Sequence, residues 1–378
     1  MSPPTDGTAP GPTTAAIPTI GVEEEYFLVD PVTRAVRPAG TQVVREAAPA
    51  VGDMLTGEFT EYQIEGRTPP CTETAELRAE LVAMRAAAVE AARAQGLRLC
   101  AGGTPVIGAA EPAHGGHPRY RAGALQYRAM LDDFAVSAFH AHVYLPDRET
   151  AVLVGNHLRP WLPLLIAMTA NSPFHRSCDT GYAGWRTVIR GRFPCLGPPP
   201  YAESLEGYER LAAAMADSEA MLEAGMPFWD VRPNPRLPTI EIRCMDVMPS
   251  VEDTAALTAL IRALVVTLSE RVRRGDPGPP VPGELVRAAC WRAARDGWSG
   301  SGVDAMSGAI ASGRRQAERL VEYVRPALER YGDAGEAESL VRRLTARGCG
   351  ADRQRAWAAE GGLKGVVDAL VRATEEGD

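Results

Sequence analysis

The chain is almost without lysine: of its 40 basic residues, all but Lys364 are arginine. That scarcity excludes two chemistries. A Walker-type phosphate loop needs Gly-Lys-Ser/Thr, which occurs nowhere. A Schiff-base enzyme would have to use Lys364, which lies in a polar C-terminal segment. There is no excess of positive charge either. The formal net charge is -8, so nucleic acid is not an expected partner. No Cys-x-x-Cys occurs among the seven scattered cysteines, which argues against a disulfide framework or a structural zinc site. Buried thiols in a reducing cytoplasm are the expectation, and with them a cytoplasmic location. No apolar run is read as membrane-spanning, since the stretch after Asp253 is interrupted by Thr, Arg and Ser. The N-terminus has no basic segment followed by an apolar one, so residues 1–17, rich in Pro, Thr, Ala and Gly, read as a disordered tail rather than a signal peptide.

What is present is ordinary for a globular protein: 378 residues, 45% hydrophobic and 23% charged. Residues 18–378 read as one catalytic domain whose C-terminal portion, about 284–376, is helical. Strands are expected at 19–30, 56–68, 97–101, 134–145 and 239–247. Helices are expected at 73–95, 156–170, 204–224 and 250–273, then at 284–295, 314–331, 336–347 and 353–373. Gly96 is a helix stop, and Ser250-Val-Glu-Asp253 resembles a capping box. Residues 171–200 read as loop and 275–283 as a Pro/Gly linker. The fold class is α+β: a mostly antiparallel sheet with helices packed on its outer face.

The strongest local signal is Gly21-Val-Glu23-Glu24-Glu25. Side chains alternate along a strand, so Glu23 and Glu25 share a face roughly 7 Å apart. They repel by a few kcal/mol at an effective dielectric of about 20. Such a pair is either solvated or holds a cation. A second acidic segment runs from Glu58 to Glu65; Glu61 and Glu65 share parity, and Glu58 joins Glu65 only through a bend. His140 and His142 lie on one face of an apolar strand. Glu241 and Arg243 share a face of another, where a plain ion pair is the simpler alternative. Together these residues bring carboxylates and imidazole from four strands. Hard oxygen donors with one or two His suit Mg²⁺ or Mn²⁺, the ions that neutralise a moving phosphoryl group. A Gly300-Ser-Gly302 run follows a helix rather than a strand and reads as a loop, not a nucleotide fingerprint.

These segments, taken in order, resemble the carboxylate–amine ligase branch of the type 2 glutamate–cysteine ligase family. The resemblance runs from about 17 to 372. It rests on Gly21-Val-Glu-Glu-Glu25, Gln63-Ile-Glu65 and His140-x-His142-Val, on Leu158-Arg-Pro-Trp-Leu-Pro163 and Ala170-Asn-Ser-Pro-Phe174, and on Asp179-Thr-Gly-Tyr182 with Trp185-Arg186. Trp229-Asp-Val-Arg-Pro233, Pro238-Thr-Ile-Glu-Ile-Arg243 and Trp291-Arg-Ala-Ala-Arg295 complete it. It implies a glutamine-synthetase-like fold, a curved sheet forming a funnel. The implied activity is ATP-dependent amide formation through an acyl phosphate, with ADP and phosphate released. The implied partners are a small-molecule carboxylate and an amine, and a homo-oligomer such as a dimer. By motif, Glu23, His142 and Glu241 would hold one Mg²⁺, and Glu25, Glu58 and Glu65 another. Arg243 and Arg186 would be catalytic and meet the phosphoryl group or a substrate carboxylate. Trp185 and Trp229 are candidates to line the pocket. The chain departs from the family at Arg67, at Gly103-Thr104-Pro105, at Ala138 and Tyr144, and at Ala288-Ala289-Cys290. These positions face substrate more than metal, so the acid and amine are expected to have diverged. A true glutamate–cysteine ligase is the nearest alternative. A metal-dependent amidohydrolase and a non-catalytic homologue are the alternatives of other classes.

Overall fold

The computed structural model describes residues 17–108 and 113–376; all but the last residue of the expected tail lies outside them. Strands β1 (Ile20–Val29), β2 (Leu55–Gly57), β3 (Gln63–Arg67), β4 (Arg98–Cys100) and β5 (Ala138–Tyr144) belong to the main sheet. Phe174–His175 (β6) and Cys178–Asp179 (β7) form a two-stranded hairpin of their own; β8 (Val231–Pro233) and β9 (Thr239–Asp246) complete the main sheet. Its order is β2-β3-β1-β5-β9-β8, with β4 also paired to β1. Every ladder in it is antiparallel. A small hairpin, β10 (Ser301–Val303) with β11 (Ile310–Ser312), occupies the stretch read as a Gly/Ser loop.

The helices follow as α1 (Gly40–Val51), α2 (Thr74–Ala94), α3 (Pro118–Tyr127), α4 (Arg148–Leu158), α5 (Leu162–Thr169), α6 (Trp185–Arg190) and α7 (Leu205–Asp217). The series ends with α8 (Val251–Arg273), α9 (Gly283–Asp296), α10 (Gly313–Tyr331), α11 (Ala334–Arg347) and α12 (Gly350–Glu376). Helix α2 is rich in Ala and Leu and ends before Gly96, whose φ of 71° closes the turn. Helix α8 starts where Ser250 Oγ accepts from the Asp253 amide at 3.4 Å. Asp253 does not complete a capping box; its carboxylate pairs with Arg343 and Arg347 of α11.

One face of β1 (Ile20, Val22, Tyr26, Leu28) joins Ile64, Phe139, Ala141, Val143, Ile240 and Ile242 in the main core against α2 and α8. Helix α8 is buried nearly all round, as a helix packed on every side must be. Glu24 also points to this side, fully buried. Its carboxylate takes two hydrogen bonds from Arg85 of α2, at 2.6 and 2.9 Å, and one from the Thr254 hydroxyl at 2.9 Å. Arg85 spends its remaining donors on the carbonyls of Met248 and Pro249. The pair therefore survives burial because each of its polar atoms is answered.

The apolar stretch Arg148–Thr169 has the length and composition of a membrane span, but 89% of its 18-residue window is buried inside the protein. It is core, broken by a 3-10 turn at Arg159–Trp161. Helix α4 starts earlier than residue 156, at an Asp147 cap that accepts from Thr150. Helices α1, α3 and α6 have no counterpart in the sequence reading, and α7 stops short of 224. All seven cysteines are free, and only Cys178 is exposed.

Candidate active site

The opposite face of the sheet carries the acids. Register fixes their neighbours: Glu25 lies across from Glu65, Glu23 from His140 and Arg67, and His142 from Gly21 on one side and Glu241 on the other. Strand alternation thus delivers Glu23, Glu25, Glu65, His140, His142 and Glu241 to one surface. Glu58 arrives from the turn after β2, with its carboxylate accepting from the Phe59 amide at 2.8 Å. Beyond Glu25 the same face of β1 turns apolar: Phe27 and Val29 are covered by Val366, Val367, Leu370 and Val371 of α12. Helix α12 therefore closes one end of the acidic surface.

Strand β9 contains a bulge. Phe139 faces Met245 and Ala141 faces Ile242, so two residues of β9, Arg243 and Cys244, oppose His140 alone. Before the bulge, Glu241 and Arg243 point to the acidic face. After it, Cys244 and Met245 both enter the core, and Asp246 returns to the acidic face opposite Ala138. There Asp246 accepts from the Asn171 amide at 2.9 Å and the Ser172 hydroxyl at 2.6 Å, and it lies 3.6 Å from Arg186. Gly103 packs so closely on this carboxylate that a Cβ would come within 2.8 Å of it.

The donors fall into overlapping groups. Glu23, His142 and Glu241 each offer one ligand atom within 4.8 Å of the others; so do Glu25, Glu58 and Glu65, and so do Glu23, Glu65 and His140. The first two groups are those named from the sequence. The third adds His140, which the sequence reading placed on the right face but gave no ligand role. His142 Nδ1 lies 3.0 Å from the Thr239 hydroxyl, which orients the ring. Its other nitrogen, Nε2, is buried without a hydrogen-bond partner, 3.4 Å from Glu23. An imidazole nitrogen left bare beside two carboxylates fits a cation ligand.

The electrostatics divide the acids. Burial pushes Glu25 up to about 8, and Glu58 adds to the effect. Burial also raises Glu65 and Glu58, in Glu65 with help from Glu23. Burial would raise Glu23 too, but the hydrogen bond with His140 and the close approach of His142 outweigh it and hold Glu23 far below the usual carboxylate range. His140 is pushed down to about 3 by burial and by Arg243, so it is a neutral ring. Three crowded carboxyls that burial makes harder to ionise, beside a neutral imidazole, form a set whose ionised form a divalent cation would favour.

Glu241 is fully buried between arginines. Arg232, directly opposite on β8, donates at 2.9 and 3.1 Å; Arg243 donates from the next same-face position; Asn234 adds a bond at 2.7 Å. The two guanidinium groups outweigh burial and keep Glu241 well below the usual carboxylate range. Arg232 was not assigned a role in the sequence reading. The sequence signal was its parity with Glu241 across a tight turn, masked because Val-Arg-Pro is too short to register as a strand. Arg186 is 2% exposed, held by the carbonyls of Arg243 and Cys244 at 3.2 Å each. Burial, and then Arg190, lower it to about 10. The Nε atoms of both Arg186 and Arg243 are buried without partners. Arg67 faces the acids from β3, 3.9 Å from Glu65, with Nη2 on the Asp53 carbonyl at 2.7 Å. Trp185 sits beside Arg186 against Tyr182. Trp229 does not join the acidic surface; it packs on Tyr208 in a separate cluster.

With this geometry in view, the relatives are informative. The profile of glutamate-cysteine ligase family 2 matches residues 19–369. The chain belongs to that family. A Saccharopolyspora erythraea protein provisionally named glutamate–cysteine ligase 2-2 is 40% identical over 363 residues, covering 95% of this chain and 93% of its own. A Salinispora arenicola protein provisionally named glutamate–cysteine ligase 2 is 42% identical, covering 91% of each. Family membership makes the chain a carboxylate–amine ligase, an enzyme of C–N bond formation. Among solved structures, the fold is similar to that of the Francisella tularensis glutamate–cysteine ligase in complex with AMP. The TM-score is 0.69 at 11% identity, over 96% of this chain and 89% of that one. It is also similar to the ligase PafA in complex with the ubiquitin-like protein Pup, with TM-score 0.52 and 12% identity over 94% and 71%. These likenesses establish the glutamine-synthetase-like, α+β fold of the family.

Proposed function

We propose that the protein couples ATP cleavage to amide formation: it phosphorylates a small carboxylic acid, and an amine then displaces phosphate from the acyl phosphate. The observation that carries this reading is the pair of adjacent donor groups, one of two acids and an imidazole and one of three acids, flanked by arginines on one sheet face. Glu23, His142 and Glu241 would hold one Mg²⁺, and Glu25, Glu58 and Glu65 a second. Bound there, the ions would screen phosphate charge and orient the transferring group. Arg243 and Arg232, either side of Glu241, supply fixed positive charge where a phosphoryl group gains negative charge in transfer. Arg186 offers a buried, unpartnered donor from the α6 side, suited to a substrate carboxylate or the acyl phosphate. Water activation for amide hydrolysis needs a metal and a base but not this density of guanidinium, which is why the ligase reading is preferred to the amidohydrolase.

The test is ADP release by the purified chain with Mg²⁺ and ATP, offered pooled carboxylic acids with and without amines, beside Glu241→Ala. Acid-dependent ADP release absent from the variant is the expected result. No release from any pool together with no Mg²⁺-ATP binding by calorimetry would end the ligase reading. Glutamate with cysteine forms one of the pools, so a true glutamate–cysteine ligase would reveal itself there.

A further inference from the structure

A second cavity, lined by none of the acidic residues, opens among Arg159, the prolines at 198–200, Trp229, Leu211, Met215 and the start of α9. Its volume is about 190 Å³, smaller than the roughly 300–1,000 Å³ of drug-sized clefts and suited only to a small molecule. Arg159 is 2% exposed. Its Nε donates to the Pro199 carbonyl at 2.9 Å, and its Nη1 is buried with no hydrogen-bond partner. Among the described residues no carboxylate pairs with it; Tyr201 is the one titratable group that favours its charge. A buried guanidinium without a counter-charge is costly unless something answers it.

Two further features of the same cavity have the same sign. Gly283, the first residue of α9, sits so that an added Cβ would meet Arg159 Nη2 at 3.9 Å. No side chain caps that helix start, where Pro282 is the N-cap, so the positive end of the helix lies beside the guanidinium. One turn later Arg287 stands exposed on the rim. No acidic residue lines the cavity, and its remaining wall is indole, thioether, leucine and proline.

We infer that this cavity is a binding site for a small organic carboxylate with an apolar body, its oxygens on Arg159 and the α9 N-terminus and its body against Trp229 and Leu211. The site is independent of the ligase reading and separate from the acidic face. A planar fork of donors at the base of an apolar cleft selects a carboxylate over a neutral analogue of equal shape.

The test uses calorimetry on the full chain without ATP or Mg²⁺. The probes are 3-phenylpropanoate, its neutral amide and inorganic phosphate. Saturable binding of the carboxylate, none of the amide, and weaker binding of phosphate are expected. Arg159→Gln should weaken carboxylate binding at least about tenfold, and Leu211→Trp, at the exposed mouth, should block it in a folded protein whatever Arg159→Gln does to stability. Glu241→Ala should leave it unchanged. Carboxylate binding that survives both Arg159→Gln and Leu211→Trp, or is lost in Glu241→Ala, would overturn the proposal. So would tighter binding of phosphate than of 3-phenylpropanoate, or no saturation by any probe.

Discussion

Residue by residue, the acidic face is a set of groups whose charge states depend on what they hold. Glu25, raised to about 8 by burial and Glu58, keeps a proton in the folded chain that the unfolded chain releases at ordinary carboxylate pH. Glu65 and Glu58 move in the same direction. Above about pH 6.5, where His140 is neutral folded or unfolded, folding still binds these protons up to about 8, so stability of the metal-free protein falls as pH rises through that window. Thermal melts without divalent cation should show this decline, and Mg²⁺ should reverse it most strongly near pH 8. A flat profile would mean that these carboxyls are ionised without the metal. Arg243→Lys keeps the charge but loses the fork, and ADP release should drop by about 100-fold or more with the melting profile little changed. The acids themselves were legible because Glu23, Glu25, His142 and Glu241 alternate within strong strand patterns. Glu58 required a bend that parity alone could not supply, and Arg232 hid in three residues ended by proline.

At the level of elements, the sheet divides its two faces between chemistry and packing, and Glu24 marks the division. It stands between Glu23 and Glu25 yet belongs to the helical layer through Arg85. Arg85→Ala strands a buried carboxylate and should cost about 3–5 kcal/mol in denaturant melts. Glu24→Gln with Arg85→Met should recover much of that loss. Beside it, Gly66 leaves no room for a side chain: a Cβ would fall 1.9 Å from Met84 Sδ. Gly66→Ala should therefore destabilise β3, and Met84→Ala in the same chain should relieve it. The sequence made β1, β5, β9, α2 and α8 legible because each is long and strongly patterned. It concealed α1, which carries an internal Pro49, and α6, which is one short turn after a loop. The bulge in β9 was equally hidden, because it is a property of pairing between strands. It sets Arg243 and Asp246 on one face across an odd separation, so a one-residue deletion between them would restore plain alternation and keep Asp246 on that face, whereas a one-residue insertion there would send Asp246 into the core.

Across the whole molecule, the helical C-terminal region is part of the site's frame. Gln354 of α12 donates to the Asn171 carbonyl and side chain at 2.9 and 2.7 Å, and Asn171 in turn donates to Asp246. Leu370 packs with Phe27 and Val29 on the strand that carries Glu23 and Glu25. Leu370→Ala should cost about 2–5 kcal/mol and unfold with the whole chain rather than as a separate transition; an independent early transition of the last helices would show that they are not coupled to the sheet. This closure joins two segments far apart in the sequence. The strand bearing the first acids is synthesised well before the helix that covers its apolar half. A nascent chain would therefore carry Phe27 and Val29 uncovered until α12 emerges, and maturation of the acidic surface would wait on that helix rather than follow the folding of the strands.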